Sequence, residues 1–257
     1  MAVELYDGNN VLIRALTSFN PHNRTDLDLR FRYASVRSNH IWVWDGENHN
    51  KRRKVVYPAY KGKREPLAAN IYAYINLWRE LLANSEASQI EAFEWEADDV
   101  IATLARQLAA RGTEVIIHSN DLDYHQLTAN PRISIRGVKN PPVPGRWIPL
   151  YKACVGDSSD NIGGIPGFGK GTWEKAESHL ESLEAAIKLG SPHSFETIPL
   201  PARVKNWLMD ISNIQLVQNM LFITHFYDVP KDVLEKSVSK GTPNTQKAEE
   251  LFRKYLI

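Results

Sequence analysis

Apolar and polar positions along this chain fall into two periods. Val3-Glu4-Leu5-Tyr6, His40-Ile41-Trp42-Val43-Trp44 and Glu114-Val115-Ile116-Ile117-His118 have the length and the β-branched and aromatic content of strands. Each runs into a polar turn: Asp7-Gly8-Asn9-Asn10, Asp45-Gly46 and Ser119-Asn120-Asp121. Helical spacing fills the intervals. A helix opens at Val11 to Leu16, and Ile71, Tyr74, Ile75, Trp78, Leu81 and Leu82 mark a second. A third starts at Ala97, with Val100, Ile101, Leu104 and Leu108 on one face and Gly112 just past its end. Strands alternating with helices predict an α/β fold with a mostly parallel central sheet flanked by helices. The second half reads as mainly helical. A short helix follows Trp147-Ile148-Pro149 through Ala153 and Cys154, and further helices run from Val204 to Phe222. Residues 239–246 read as a loop.

In open α/β sheets, ligands bind beyond the carboxyl ends of the strands. Asp7, Asp45, Asp121 and Asp123 are therefore expected to converge on one edge. Turn and cap chemistry explains any one of them. An aspartate after each of three strands is harder to explain that way. Glu96-Ala97-Asp98-Asp99 adds three carboxylates at a helix start, of which the macrodipole accounts for one or two. Three carboxylates beside strand-end aspartates repel one another unless cations intervene. Hard cations such as Mg²⁺ take oxygen ligands, so the cluster reads as a metal site.

Composition narrows the class. The 257 residues are 43% hydrophobic and 24% charged, an ordinary globular mixture for one large domain or two small ones. The single cysteine, Cys154, excludes a disulfide framework and a cysteine-based zinc site. No apolar run reaches membrane-spanning length and the N-terminus lacks signal-peptide features, so a cytoplasmic protein without a membrane partner is expected. Balanced charge, 31 Lys+Arg against 30 Asp+Glu, conceals segregation. Lys51, Arg52, Arg53, Lys54, Lys61, Lys63 and Arg64 fall within 51–64 with no acid among them. Such a run is ordinarily a solvated face. Interleaved with Tyr57 and Tyr60, it also suits a nucleic-acid strand, charges on phosphates and rings on bases.

Gly164 to Lys170 has P-loop spacing, but Gly171 stands where the Mg²⁺-binding hydroxyl belongs and no strand precedes the glycines. A tight hairpin between two helices fits better. The backbone N–H groups around Gly163, Gly164, Gly167, Gly169, Lys170 and Gly171 would cradle a phosphate without reading sequence. An aspartyl-phosphate enzyme would need an acid at Asn9. The eight histidines show no metal-ligand spacing, and His118 and His125 read as packing or hydrogen-bonding residues.

Taken in order, these segments resemble the 5′-nuclease family, in particular the phage flap endonucleases. The matching pieces are Tyr6-Asp7-Gly8, Trp44-Asp45-Gly46, Tyr60-Lys61-Gly62-Lys63-Arg64, Glu96-Ala97-Asp98-Asp99, Ser119-Asn120-Asp121-Leu122-Asp123 and Gly156-Asp157-Ser158-Ser159-Asp160-Asn161-Ile162. The last continues into Gly164-Ile165-Pro166-Gly167-Phe168-Gly169, similar to a helix–three-turn–helix. Pro199-Leu200-Pro201 and the helices after it also resemble the phage members. The resemblance implies a PIN-like 5′-nuclease fold, read as a single domain over 1–257. It would carry a basic helical arch over 51–88 and the helix–three-turn–helix over 147–182. It implies two-metal phosphodiester hydrolysis, as flap endonuclease and 5′→3′ exonuclease, in phage DNA replication or processing. Asp7, Asp45, Glu96, Asp98 and Asp121 or Asp123 then correspond to ligands of one site, and Asp99 counts among the metal-binding acids. Asp157 and Asp160, helped by Asp121 and Asp123, correspond to the other. Asp98 and Asp121, with Lys61 and Arg64 on the scissile phosphate, take the catalytic roles. Lys51, Arg52, Arg53, Tyr60, Lys63, Gly164, Gly167, Gly169 and Lys170 join Lys61 and Arg64 in holding DNA.

The implied ions are two or more Mg²⁺ or Mn²⁺, with K⁺ at the helix–three-turn–helix. The implied partner is DNA with a 5′ flap, branch or 5′ end, bound by a monomer in the host cytoplasm. Setting the nine site acids (7, 45, 96, 98, 99, 121, 123, 157, 160) aside leaves 21 acids against 31 bases, a basic body around an acidic pocket. Three features depart from the family. The segment from Arg64 to Glu96 holds little beyond one long helix, Trp173 replaces a small residue, and proline-rich 138–149 has no counterpart. No sliding-clamp peptide is seen. Two rivals remain: a non-catalytic branched-DNA binding protein of the same fold, and a PIN-like ribonuclease.

Overall fold

The computed structural model describes residues 2–17, 25–137 and 140–255. The chain divides into two compact units, one of residues 1–49, 65–141 and 227–257, the other of residues 50–64 and 142–226. The segment 51–88 contributes to both, 51–64 to the second and 65–88 to the first.

The first unit is built on a six-stranded sheet: β1 (Val3–Asp7), β2 (His40–Trp44), β3 (Ser88–Glu91), β4 (Val115–His118), β5 (Ile133–Arg136) and β6 (Val238–Lys240). Their order is β5-β4-β1-β2-β3-β6, parallel throughout except for antiparallel β6. The chain lays down β1, β2 and β3 in one direction and then returns to place β4 on the other side of β1. That reversal is a topological switch point, where open α/β sheets leave a crevice at the strand ends. Register aligns those ends, since Asp7 pairs with Val43 and Tyr6 with His118.

Three strands escape the sequence pattern. β3 and β5 are four residues long and mix polar with apolar positions, and β6 lies partly inside the stretch read as a loop. Exposed along its length, β6 is held by backbone pairing with β3, and the helix Thr245–Tyr255 begins soon after it.

One apolar cluster joins Trp42 and Trp44 to Val11 and Leu12, to Trp78, Leu81 and Leu82, and to Leu251 and Phe252. The helix Ala97–Ala110 packs against β1, β2 and β4. Its buried face is turned from the expected one. Ala102, Ala105 and Ala109 are buried with Val100 and Ile101, whereas Leu104 and Leu108 are half-buried. Small side chains let the helix close on the strands, a packing gain that a hydrophobicity pattern does not register.

The second unit is helical. Helices Lys51–Val56, Ile148–Val155, Lys170–Ala176, Leu180–Leu189, Ala202–Leu208 and Ile211–Ile223 enclose a core with Phe168, Trp173 and Phe195. Trp173 packs edge-on against Tyr151 at 5.0 Å. Cys154 is buried in this core, and burial raises its thiol pKa. Among the described residues no helix is long and apolar enough to cross a membrane.

Candidate functional site

The first unit gathers carboxylates around the switch point. Asp7 ends β1 and is only 6% exposed. Ser119 Oγ donates to its Oδ2 at 2.9 Å and the Asn10 N–H to its Oδ1 at 3.2 Å. Burial is the largest cause raising the Asp7 carboxyl to about 7, followed by the charge of Asp45, with Asp121 adding less. The hydrogen bonds from Ser119 and Asn10 oppose the rise. Asp45, one residue beyond β2, accepts from Asn9 Nδ2 at 3.1 Å and from the Ala97 N–H at 2.9 Å. The second bond caps the helix Ala97–Ala110 from outside, because Glu96 at its N-cap makes no side-chain cap. Glu96 itself is 1% exposed.

Asp98 and Asp99 part company. Asp98 is partly exposed and accepts from the Tyr124 hydroxyl at 2.7 Å. Asp99 is buried and accepts from the Tyr227 N–H at 2.8 Å, tying the C-terminal segment to the helix. Asp121 caps the short 3₁₀ turn Leu122–Leu127 by accepting from the Asp123 N–H at 2.9 Å, and Asp123 stays partly exposed. The Asp121 N–H donates to Ser119 Oγ at 3.1 Å. One hydroxyl thus links the ends of β1 and β4.

Ser119, Tyr124 and Asn9 orient the acids; sequence reading placed Ser119 and Asn9 in turns and did not single out Tyr124. Only the pairing of β1 with β4 makes the Ser119 bridge visible. Tyr124 is fully buried, and burial first, then the charges of Asp7 and Asp98, raise its phenol far above the usual range. It is therefore a fixed proton donor to Asp98. His118 Nε2 lies 2.8 Å from Glu4 Oε2, and its ring stacks on Tyr6 at 4.1 Å.

The donor set fits a hard divalent cation. It is all oxygen, and burial first, then the neighbouring charge of Asp45, disfavours the ionised form of Asp7, which a bound cation would offset. Among the described residues no three such side chains close into a ready-made metal cage. Mg²⁺ needs none, since it keeps several waters and shares its ligands with substrate phosphates.

The second unit carries the other predicted residues. Gly156 to Gly169 joins the helices Ile148–Val155 and Lys170–Ala176. Asp157 opens this loop and accepts at Oδ1 from Ser159 N–H and Oγ, at 2.8 and 2.6 Å. Lys152 Nζ lies 2.8 Å from Asp157 Oδ2 and 3.8 Å from Asp160 Oδ2. Burial is the largest influence on each carboxyl and raises both. Lys152 and the Ser159 hydrogen bonds bring Asp157 below its ordinary value, whereas Asp160 stays above its own despite Lys61, Lys152 and Arg64.

Arg64 Nη2 donates to Asp160 Oδ1 at 2.9 Å, and its Nε to the Ser159 carbonyl at 3.2 Å. Lys61 has φ +51, its N–H donates to the Asp160 carbonyl at 2.9 Å, and its Nζ lies 4.9 Å from the Tyr60 ring centre. Tyr60 is buried, while Lys51, Arg52 and Lys63 are exposed. Arg53 corrects the expectation of a cationic surface. It is 4% exposed, with Nε on the Ile223 carbonyl at 2.8 Å and Nη2 on the His225 carbonyl at 3.1 Å. Those bonds hold its helix to Ile211–Ile223 and leave the guanidinium away from solvent.

The glycines of the loop differ in kind. Gly164 has φ +68, and a Cβ there would lie 2.7 Å from the Gly156 nitrogen, so the turn requires glycine. Gly167 lies under the Arg203 side chain, whose Nη2 donates to its carbonyl at 3.1 Å. Gly163, Gly169 and Gly171 face open space, and Lys170 is exposed.

A family model described as the 5′-3′ exonuclease, N-terminal resolvase-like domain matches residues 24–142. DNA polymerase I of Caldicellulosiruptor bescii is 29% identical over 214 residues, which cover 72% of this chain and 25% of that protein. Flap endonuclease Xni of Aeromonas salmonicida is 33% identical over 160 residues, 57% of this chain and 59% of that protein. The chain therefore spans about a quarter of the first relative and under two thirds of the second. T5 5′-exonuclease with bound divalent metal ions (zinc) superposes with a TM-score of 0.67 at 19% identity, covering 98% of this chain and 100% of that one. A bacteriophage T5 flap endonuclease in a pseudo-enzyme–product complex with DNA and metal ions gives 0.66 at 19% identity, covering 98% and 100%. At that identity the likeness is one of fold.

Proposed function

We propose that the chain is a member of the 5′-nuclease family that includes the flap endonucleases, a reading supported by the exonuclease-domain match over residues 24–142 and the likeness to flap endonuclease Xni, and that it is a divalent-metal-dependent, structure-specific 5′ nuclease. Its proposed substrates are phosphodiesters at 5′ flaps and 5′ ends of DNA. Removing displaced 5′ strands during DNA replication or processing, in a phage by its resemblance to the phage members, is the proposed role. The observation that carries the reading is the gathering of Asp7, Asp45 and Asp121 at the ends of the adjacent strands β1, β2 and β4, at the switch point of the sheet.

Asp7, Asp45, Glu96, Asp98, Asp121 and Asp123 are the proposed oxygen ligands of one cation, and Asp157 and Asp160 those of another. Bound Mg²⁺ or Mn²⁺ would activate water and stabilise the attacking and leaving oxygens of an in-line displacement. Asp99 supports the site from behind by fixing the Tyr227 backbone. Ser119 and Tyr124 hold Asp7 and Asp98 in place. Lys61 and Arg64 are the proposed contacts to the scissile phosphate, for which Arg64 must exchange Asp160 for the phosphate. The loop Gly156 to Gly169 is proposed to hold the duplex backbone, with K⁺ among its carbonyls.

Labelled 5′-flap DNA with and without Mg²⁺ tests the activity, and RNA in its place tests the ribonuclease alternative. Cleavage of the flap only with the metal is expected; binding without cleavage would identify a branched-DNA binding protein instead. Asp121→Asn should abolish cleavage yet keep or strengthen binding, because less negative charge then faces the phosphates. Unchanged turnover in the folded variant would remove Asp121 from the metal site.

A further inference from the structure

Phe93 lies between β3 and the helix Ala97–Ala110, three residues before Glu96, with 59% of its surface exposed. Single exposed apolar side chains are ordinary. The backbone carrying this one is not. Ala92 and Trp95 on either side are buried, so the chain enters the core twice and leaves one ring outside. The Trp95 N–H donates to the Ala92 carbonyl at 3.0 Å, closing a turn with Phe93 and Glu94 at its centre. Glu94 has φ +60, a left-handed conformation that glycine adopts freely and glutamate does not.

The turn is fastened to the loop that follows β2. The Glu94 N–H donates to the Glu47 carbonyl at 2.8 Å, and the Gly46 N–H to the Trp95 carbonyl at 3.1 Å. A Cβ on Gly46 would collide with the Ala92 carbonyl, so the two segments meet backbone to backbone. Strain kept in place by such contacts points to function. Here it holds a ring at the strand-end edge, on a turn bonded to the residue after Asp45 and leading into Glu96.

We propose that Phe93 is a stacking platform for an unpaired nucleobase of the DNA strand that enters the acidic site. The proposal rests on the nuclease reading given above. Glu94 and Glu47 belong to the two joined segments, so negative charge disfavours a phosphate there and leaves the neutral face of a base as the compatible group. A backbone fastened before binding loses little conformational freedom on contact. Stacking tolerates every base, as a structure-specific enzyme requires.

The test uses 5′-flap DNA with 2-aminopurine at each nucleotide flanking the cleavage point, and Ca²⁺ replacing Mg²⁺ so that binding is read without turnover. Wild-type protein and Phe93→Trp should quench the probe at one position. Phe93→Ala should lose the quenching, bind about 10-fold more weakly, and cut with a less defined position once Mg²⁺ is supplied. Phe93→Leu, apolar but unable to stack, should resemble Ala. If Phe93→Ala matches wild type in affinity and fluorescence while wild type cuts the flap, the platform is overturned and the nuclease reading stands. If Leu matches wild type, the contact is apolar and not stacking, which also overturns it. Wild-type protein that neither binds nor cuts flap DNA overturns the nuclease reading itself.

Discussion

Replacing Asp7 by Asn removes a buried charge while keeping the size and shape of the side chain. Burial and the neighbouring charge of Asp45 raise this carboxyl from 3.8 to about 7. A carboxyl whose folded pKa exceeds its unfolded one stabilises the fold fully below about pH 4, and that contribution is lost as pH rises through about 7. Without metal, holding Asp7 ionised in the fold at pH 8 costs on the order of 4 kcal/mol relative to the unfolded chain. The amide re-forms the bonds with Asn10 and Ser119 less well, a loss of about 1 kcal/mol. The variant should therefore be more stable by about 3 kcal/mol at pH 8, or roughly 6–12 °C in Tm, and nearly equal at pH 5. Circular-dichroism melts in EDTA between pH 5 and 9 check this. Wild-type protein should lose stability across that range more steeply than the variant. Adding Mg²⁺ at pH 8 should stabilise wild type more than Asp7→Asn, which lacks one ligand of the first cation. Parallel pH profiles, or a variant that melts below wild type at pH 8 in EDTA, would refute the claim that burial and the charge of Asp45 raise the Asp7 carboxyl.

Lys61→Ala and Arg64→Ala should each lower single-turnover cleavage by roughly 10²-fold or more, whereas exposed Lys51→Ala should alter only affinity and the salt slope; equal, binding-only losses at all three would make the run an electrostatic surface. Gly169→Ala adds a methyl group into open space, so it should melt like wild type yet weaken duplex binding measured by anisotropy. Gly164→Ala, at φ +68, should lower stability itself, and an unaltered melt would contradict the crowding at that turn. Tyr124→Phe deletes the hydroxyl that orients Asp98, so half-maximal cleavage should need 10- to 100-fold more Mg²⁺, with a near-normal rate once the metal saturates. Arg53→Ala should destabilise the second unit by about 2–3 kcal/mol, read by denaturant titration, because it strands the carbonyls of Ile223 and His225.

Much of the acidic edge was legible because it depends on local signals. Strands β1, β2 and β4 are short apolar runs with an aspartate at or just past each end, and the three lie side by side. The start of the helix at Ala97 was legible for the same reason. The polar strands β3, β5 and β6 were not, since they form where a neighbouring backbone is available and carry no periodic signal of their own. Nor could local sequence rank like against like. Asp98 and Asp99 are adjacent, yet one meets the Tyr124 hydroxyl and the other the Tyr227 backbone. Lys51 and Arg53 share a charge run, yet one is exposed and the other lies on carbonyls some 170 residues away in the chain. The amino-acid sequence determined by itself the periodicities, the charge inventory and the turns that end each element, because those are set by neighbours along the chain. The tertiary structure alone decided which acid is pushed up to about 7, which cation is buried and which ring stands exposed, because desolvation and hydrogen bonding depend on what long-range register and packing bring alongside each group.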